Sequence, residues 1–527
     1  MAFLALALAP AVAGIWWRPR FVTQDGPAHH YNAEVLARSL VPGSPFASAF
    51  AVRWRPAPNW AGHALYLGLA AVLPPSLVER AAATVTLVAL AAATASLRVR
   101  VAGGRGPATS AAFSGLVGLN VGWLFGFTGF LLGASLFAVT LGVWWGGRDR
   151  MGRGRTVALA ALIGLGYLCH PVSLGLTAFG LLVLEAWTPR TQGSRRLLGT
   201  LAALSPLLPL GLLYHGLSRD GGPMRPEWVH LGRPSSPAAW AAQLGWVDPV
   251  TLAAKVHRPF GTRASMANGL AAPALWAAPA LAALAALGFS RLDGERRGWA
   301  VLAGLLIFGG MIAPDTLGSG HGHYLPQRVV LLGLVALAPW LPLDAGGPVA
   351  RLGRAGLFVA LGLQSLFVWD YGLESDRAIS RLMAGADRVG RGRRVAVVLL
   401  DIRGRFRANP RLHADCLLGI GTGNVVWGNY ETNYYYFPVR LRDPSRSPPA
   451  AELEAIARLD GPANADERAR RWAGLLDRYA DAIDVVAIDG TDVEIERITA
   501  RVFDRRWTSD DGRVQVWERG GAGPDRR

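Results

Sequence analysis

Residues 1–34 read MAFLALALAPAVAGIWWRPRFVTQDGPAHHYNAE. An apolar run ends in Trp16-Trp17, and a polar stretch, Thr23 to Glu34, then turns on Asp25-Gly26-Pro27. A carboxylate on a Gly-Pro turn straight after such a run sits at a membrane surface. Beyond the turn, His30 and Glu34 are four apart and share a helix face, with His29 alongside. A carboxylate held at the water–lipid boundary can act as a general base or hold a cation. An Asx-type cap leading into an amphipathic surface helix accounts for the same residues. Ala11-Val12-Ala13 offers a small-residue cleavage pattern, but a basic segment ahead of it is lacking, so a retained first span is expected.

Outward from this stretch the chain stays apolar. Of its 527 residues 51% are hydrophobic and 17% charged, and the mean hydropathy is +0.26; soluble domains run nearer 25% charged. Apolar runs fall near 1–17, 77–97, 108–122, 127–146, 156–168, 171–187, 197–216, 268–290, 298–313, 328–343 and 355–370. Several are shorter than the roughly 20 residues that cross a core of about 30 Å, so 108–146 and 156–187 could each be read as one tilted element. Trp60–Leu73 is shorter still and ends at Pro74-Pro75, as an interfacial or re-entrant helix would.

The fold class expected is an all-α polytopic membrane bundle of about eleven spans, residues 1–370, followed by an extracytoplasmic α/β or α+β domain, 371–527. The connections 98–107, 147–155, 188–196, 291–297 and 344–354 are arginine-dense. Placing them in the cytoplasm puts the N-terminus inside and leaves loops 18–76, 217–267 and 314–327 outside, with the last domain. Plasma (inner) membrane localisation follows. The net charge of +17 is uneven: residues 371–527 hold 26 basic and 24 acidic side chains, and the first 370 hold 28 and 13. A basic excess lodged in apolar sequence marks cytoplasmic loops and excludes a nucleic-acid partner. In the C-terminal part, Val395–Leu400, Val485–Ile488 and Val514–Trp517 read as short strands, and Glu452–Arg458 and Asp466–Tyr479 as helices. Cys169 and Cys416 lie in unlike surroundings and have no CxxC or zinc spacing.

A second polar stretch, Ala313-Pro-Asp315-Thr-Leu-Gly-Ser-Gly-His321-Gly-His323-Tyr-Leu-Pro-Gln-Arg328, joins two spans on the same outer side as Asp25. Arg328 stands at the mouth of the next span, where a guanidinium grips phosphate bidentately. His321 and His323 could donate to a phosphate or bind a metal. A flexible loop with an interfacial arginine is the plainer alternative.

These segments resemble the GT-C superfamily of membrane glycosyltransferases, which take sugars from polyprenyl-phosphate carriers. Asp25-Gly26-Pro27 with His29 matches the first-loop acidic site of that family; Asn120 and Gly126–Gly133 (GFTGFLLG) resemble its span-entry segment in uncharacterised bacterial relatives; and Asp315 to Arg328 resembles their Pro-Asp, glycine-rich loop ending in arginine. The resemblance implies a transferase moving a sugar from a polyprenyl-phosphate donor to a glycan, lipid or protein acceptor on the outer face. Asp25 would be the catalytic base, Arg328, His321 and His323 would bind the donor phosphate, and His29, His30, Glu34 and Asp315 would support them. The cofactor is unknown; a divalent metal on Asp25 and His29 is a candidate. Segment 120–128 lacks the second acidic residue of many members, which puts metal use in question and keeps an inactive scaffold as an alternative; a transporter or flippase of a lipid-linked or polar solute is the rival class. Outside these segments, His170-Pro171 lies between apolar runs, where an ionisable side chain is a functional candidate or a kink. His215, Arg219, Asp220, Arg225, Glu227 and His230 enrich one outer loop. Tyr430, Tyr434, Tyr435 and Tyr436 could stack on sugar rings or simply pack. Gly419–Gly423 does not fit a nucleotide loop.

Overall fold

The computed structural model describes residues 1–188, 193–228, 296–318, 320–400, 402, 406, 408–459 and 461–520. Loop residues 229–267, His230 among them, the run 268–290 and most of connection 291–297 lie outside the described residues. The remaining apolar runs are helical. In chain order they are α1 (Ala2–Trp16), the surface helices α2 (Gly26–Arg38), α3 (Pro45–Ala49) and α4 (Trp60–Val72), then α5 (Pro75–Ala102), α6 (Pro107–Gly118), α7 (Val121–Phe125), α8 (Thr128–Trp145), α9 (Arg153–Cys169), α10 (Pro171–Trp187), α11 (Gly193–Leu204), α12 (Leu207–Ser218), α13 (Arg297–Ile312), α14 (Leu325–Leu337) and α15 (Pro348–Met383). Among the described residues four helical stretches are long and apolar enough to cross a membrane: Pro75–Ala102, Thr128–Trp145, Ser194–Gly221 and Pro348–Val389. Five more apolar helices are shorter. Their outer faces carry bare aliphatic side chains such as Leu208, Leu212 and Leu352, which a hydrocarbon solvent tolerates and water does not.

Neither long element survives as one helix. Residues 108–146 break at Asn120, whose side chain accepts the Trp123 N–H as a cap, and at Gly126, held at φ +80°. A Cβ on Gly126 would stand 2.7 Å from Thr23 Oγ1. The glycine lets the first outer loop close in, with Gln24 and Asp25 donating N–H to the carbonyls of Leu124 and Phe125. Residues 156–187 break at His170, because Pro171 forces its predecessor out of the helical region.

Two arginines that enter the bundle find partners there. Arg98, almost fully buried, donates to the carbonyls of Ala338 and Pro339 beyond the end of α14. Arg196 pairs with Glu185 at 2.8 Å, and Thr200 donates to the same carboxylate while accepting from Trp144 Nε1.

After the bundle comes a five-stranded mixed sheet ordered β3-β2-β5-β7-β6, from β2 (Arg394–Leu399), β3 (Val425–Val426), β5 (Val485–Asp489), β6 (Phe503–Thr508) and β7 (Val514–Arg519). β2 runs parallel to β3 and β5; β7 runs antiparallel to β5 and β6. Helices α16 (Ala450–Arg458), α17 (Ala465–Tyr479) and α18 (Val493–Thr499) accompany it. The boundary drawn at 370 falls inside α15, which runs on to Met383. Hydropathy drops there because Asp370, Glu374 and Asp376 enter, yet these residues leave the helix intact. Nor does the sheet pack alone. Tyr31, Val35, Phe46 and Phe50 of the first outer loop share a core with Val395–Leu400, Trp427 and Val485–Ile488, and β1 (Phe50–Val52) pairs antiparallel with β4 (Val439–Leu441). The first and last parts of the chain thus fold around one another above the bundle.

Candidate active site

The site is built on the turn before α2. Gly26 is required there: a Cβ would fall 1.8 Å from Glu79 Oε1. Glu79 in turn accepts from Thr23 N, Thr23 Oγ1 and Tyr66 Oη, at 2.7–2.9 Å. This buried carboxylate ties the turn to α5 and leaves Asp25 aimed elsewhere. Asp25 occupies the N-cap position of α2 but makes no side-chain cap hydrogen bond, so the cap reading of the sequence does not hold.

Asp25 and Arg328 line one cavity of about 220 Å³, together with His29, His63, His170, His323, His413, Tyr430, Tyr434 and Tyr436. Burial lifts the Asp25 carboxyl above its ordinary range, with His413 and His29 pulling the other way; His413 Nε2 lies 3.6 Å from Asp25 Oδ1. His413 itself is pushed down by burial and stacks on Tyr430 with centroids 4.2 Å apart. Arg328, in the first turn of α14, lies over the rings of Phe127 (4.6 Å) and Phe130 (5.4 Å). Its Nη1 meets His170 Nε2 at 2.5 Å.

Not every residue singled out from sequence reaches this cavity. His321 lies beside it, held by the Gly222 carbonyl at 3.0 Å and the Tyr435 hydroxyl at 3.3 Å. His30 is buried against Tyr66. Glu34 pairs with Arg38 and accepts the Gly421 N–H. Asp315 belongs to a small backbone pairing in which its N–H donates to the Glu227 carbonyl. The helical spacing of His30 and Glu34 was real, but their face packs against protein; His29, one position off, faces the cavity. In the outer loop Asp220 pairs with Arg53 at 3.5 Å.

The principal group missed in the sequence is Glu431, from the Tyr430–Asn433 turn. Its two oxygens meet His29 Nδ1 at 2.5 Å and His63 Nε2 at 2.7 Å, all three residues being buried. Against the pull of burial, the Glu431 carboxylate raises His29 to about 9, and His63 and His29 lower Glu431 to about 2. Asn429-Tyr-Glu-Thr carries no local signal for this role, since its partners are about four hundred residues earlier.

These three side chains also suit a metal. Their ligand atoms lie within 4.8 Å of one another, and a two-histidine, one-carboxylate set matches zinc-type coordination. Each histidine places its other ring nitrogen against a backbone carbonyl, Gly126 for His29 and Asn59 for His63, the arrangement that orients metal-binding imidazoles. His29 belongs to this cluster, whereas Asp25 stands outside it.

The metal-free cluster makes a pH prediction. The His29 contribution to stability is full below 6.5 and fades as pH rises through about 9; that of Glu431 is full above 4.5 and fades as pH falls through about 2. In chelator-treated protein, Glu431→Gln should therefore lower the melting temperature most between pH 4.5 and 6.5, by a stability on the order of 3–5 kcal/mol for a broken buried pair. A constant difference across pH would contradict this. Added Zn²⁺ should raise Tm of the wild type and not of the variant.

No family model matches this chain, and no curated protein does. Solved structures do. ArnT from Cupriavidus metallidurans bound to undecaprenyl phosphate superposes with a TM-score of 0.51 at 15% identity, covering 99% of this chain and 98% of that one. ArnT in the apo state (TM-score 0.49, 15% identity, covering 98% and 97%) and the arabinofuranosyltransferase AftD from Mycobacteria (0.49, 16%, covering 98% of this chain and 40% of that one) are also similar. At such identities the likeness is one of fold.

Proposed function

Starting from a chain with the GT-C architecture of ArnT, we propose that it is a membrane glycosyltransferase that moves a sugar from a polyprenyl-phosphate donor to an acceptor at the outer face of the membrane. The observation that carries this reading is that Asp25 and Arg328, far apart in sequence, line one cavity. The ArnT structure holds undecaprenyl phosphate, a ligand of the class proposed here as the donor carrier. Eleven spans, a cytoplasmic N-terminus and an extracytoplasmic C-terminal domain in the plasma (inner) membrane complete the proposal.

The Asp25 carboxylate takes the proton of the acceptor hydroxyl as that oxygen bonds to the anomeric carbon. The bond from anomeric carbon to phosphate oxygen breaks, and its electron pair leaves with the phosphate. Arg328, with His323 beside it, offsets the charge that grows there, where a fixed cation helps most. A single displacement inverts the anomeric centre. Burial raises the basicity of Asp25 towards working pH, which suits a general base. His29, His63 and Glu431 would hold a divalent cation, which when bound supplies positive charge next to this carboxylate. Tyr434 and Tyr436, stacked at 5.2 Å on the cavity wall, offer faces for a sugar ring.

The test is reconstitution in nanodiscs with a panel of polyprenyl-phosphate sugars and candidate acceptors. Release of polyprenyl phosphate that depends on acceptor, in equal amount to glycosylated product, is expected. Vectorial movement of an intact lipid-linked sugar without its cleavage would overturn the transferase reading in favour of a flippase.

A further inference from the structure

His170 stands at the break between α9 and α10, 7% exposed, with its ring edge-on to Phe130 at 5.4 Å. Its two ring nitrogens face two different groups. Nδ1 lies 3.2 Å from the Val172 backbone N–H, as the cap of α10. Nε2 lies 2.5 Å from Arg328 Nη1. A backbone N–H and a guanidinium are both donors and never acceptors, and a neutral imidazole always carries one proton. Whichever nitrogen carries it, an N–H therefore points at an N–H; the imidazolium form makes both contacts repulsive. In the tautomer that closes the helix end, Nδ1 accepts from the Val172 N–H. The proton then sits on Nε2 and faces the guanidinium at the cavity wall, two donors with no acceptor between them among the described residues. Arg328 Nε is likewise buried and lacks a hydrogen-bond partner among the described residues.

We propose that His170 is a second phosphate-binding residue: its Nε2–H and the Arg328 guanidinium together grip one anionic oxygen of the lipid-linked phosphate. This rests on the reading that the cavity takes such a phosphate. An oxygen set against both nitrogens, which are too close at 2.5 Å to admit it between them, accepts from both as they move apart and turns the one mismatched contact into two charge-assisted hydrogen bonds. Phe127 and Phe130 flank the guanidinium and keep water from competing for it. The role that the sequence reading gave to His321 thus passes to His170, whose ring reaches the cavity while His321 is tied to Gly222 and Tyr435. Because the grip recognises an anionic oxygen, it favours a prenyl phosphate over the corresponding alcohol.

His170→Asn separates this role from helix capping, since asparagine is itself a good cap but its amide does not reach as far as Nε2. The full chain in nanodiscs is titrated with farnesyl phosphate, farnesol and inorganic phosphate, and its melting temperature is recorded. We expect His170→Asn to bind farnesyl phosphate about tenfold more weakly, the loss of one hydrogen bond to a charged group, with farnesol affinity and Tm unchanged. If the variant binds farnesyl phosphate as the wild type does, His170 is a cap only and the proposal fails, while the lipid-phosphate reading stands. If the wild type does not prefer farnesyl phosphate to farnesol, the lipid reading fails, and inorganic phosphate decides the rest. Phosphate binding that His170→Asn weakens keeps the grip; none in either protein overturns it.

Discussion

Asp25→Asn is expected to reduce the transfer rate by about 10²–10⁴, the range for removing a general base, with Tm and donor binding close to those of the wild type. The substitution conserves volume, and asparagine suits the N-cap position that Asp25 occupies without bonding to it. Little stability is therefore at stake. What is lost is the only charge on the turn, held in a cavity where burial favours the protonated form. The same burial sets the acid limb of the pH–rate profile. A base with a raised pKa loses activity, as pH falls, sooner than a carboxyl titrating at 3.8 would. Single-turnover kinetics with preloaded donor measures both effects. A rate for Asp25→Asn above a tenth of the wild type would remove Asp25 from the chemistry.

Arg328 carries the second large effect. Arg328→Gln should lower kcat by roughly 10²–10³, as removal of one donor aimed at developing negative charge does elsewhere, and Arg328→Lys should recover only part of it. Lysine keeps the charge but gives up the planar fork and its stacking on Phe127 and Phe130. On the proposed mechanism the guanidinium acts on the departing phosphate, so kcat should fall more than donor affinity does. A variant that loses donor affinity alone, with kcat intact, would reduce Arg328 to a binding residue. The two substitutions should be strongly non-additive, because base and cation serve one bond-making and bond-breaking event.

The sequence came near the site in two places for different physical reasons. Asp25-Gly26-Pro27 is legible because a turn directly after an apolar run pins a carboxylate to the membrane surface. Arg328 is legible because it opens a span after a glycine-rich loop. His30 and Glu34 misled because helical spacing tells which residues share a face, not what that face packs against; the face meets Tyr66, Arg38 and the Gly421 amide. Segment 120–128 holds no acidic residue, and the carboxylates that do stand at the site come from far along the chain or from another helix. Glu431 stands beside His29 from 402 positions away, and Glu79 holds the turn from within a span. His170 reads from sequence as a functional candidate or a kink and His63 carries no sequence signal; only their neighbours across the fold give them partners.

By itself, then, the sequence determined what depends on local composition. Runs of apolar side chains must be helical in a solvent that offers no hydrogen bonds, and Gly-Pro and His-Pro steps place the breaks. It could not determine which of these breaks meet. That was decided by the first outer loop and the C-terminal sheet closing on a shared core, with Tyr31 and Phe50 against Trp427 and Val426. The resulting burial, which no window of sequence contains, puts Asp25 and Arg328 on one cavity, sets Glu431 against His29 and His63, and shifts the protons of the two carboxylates.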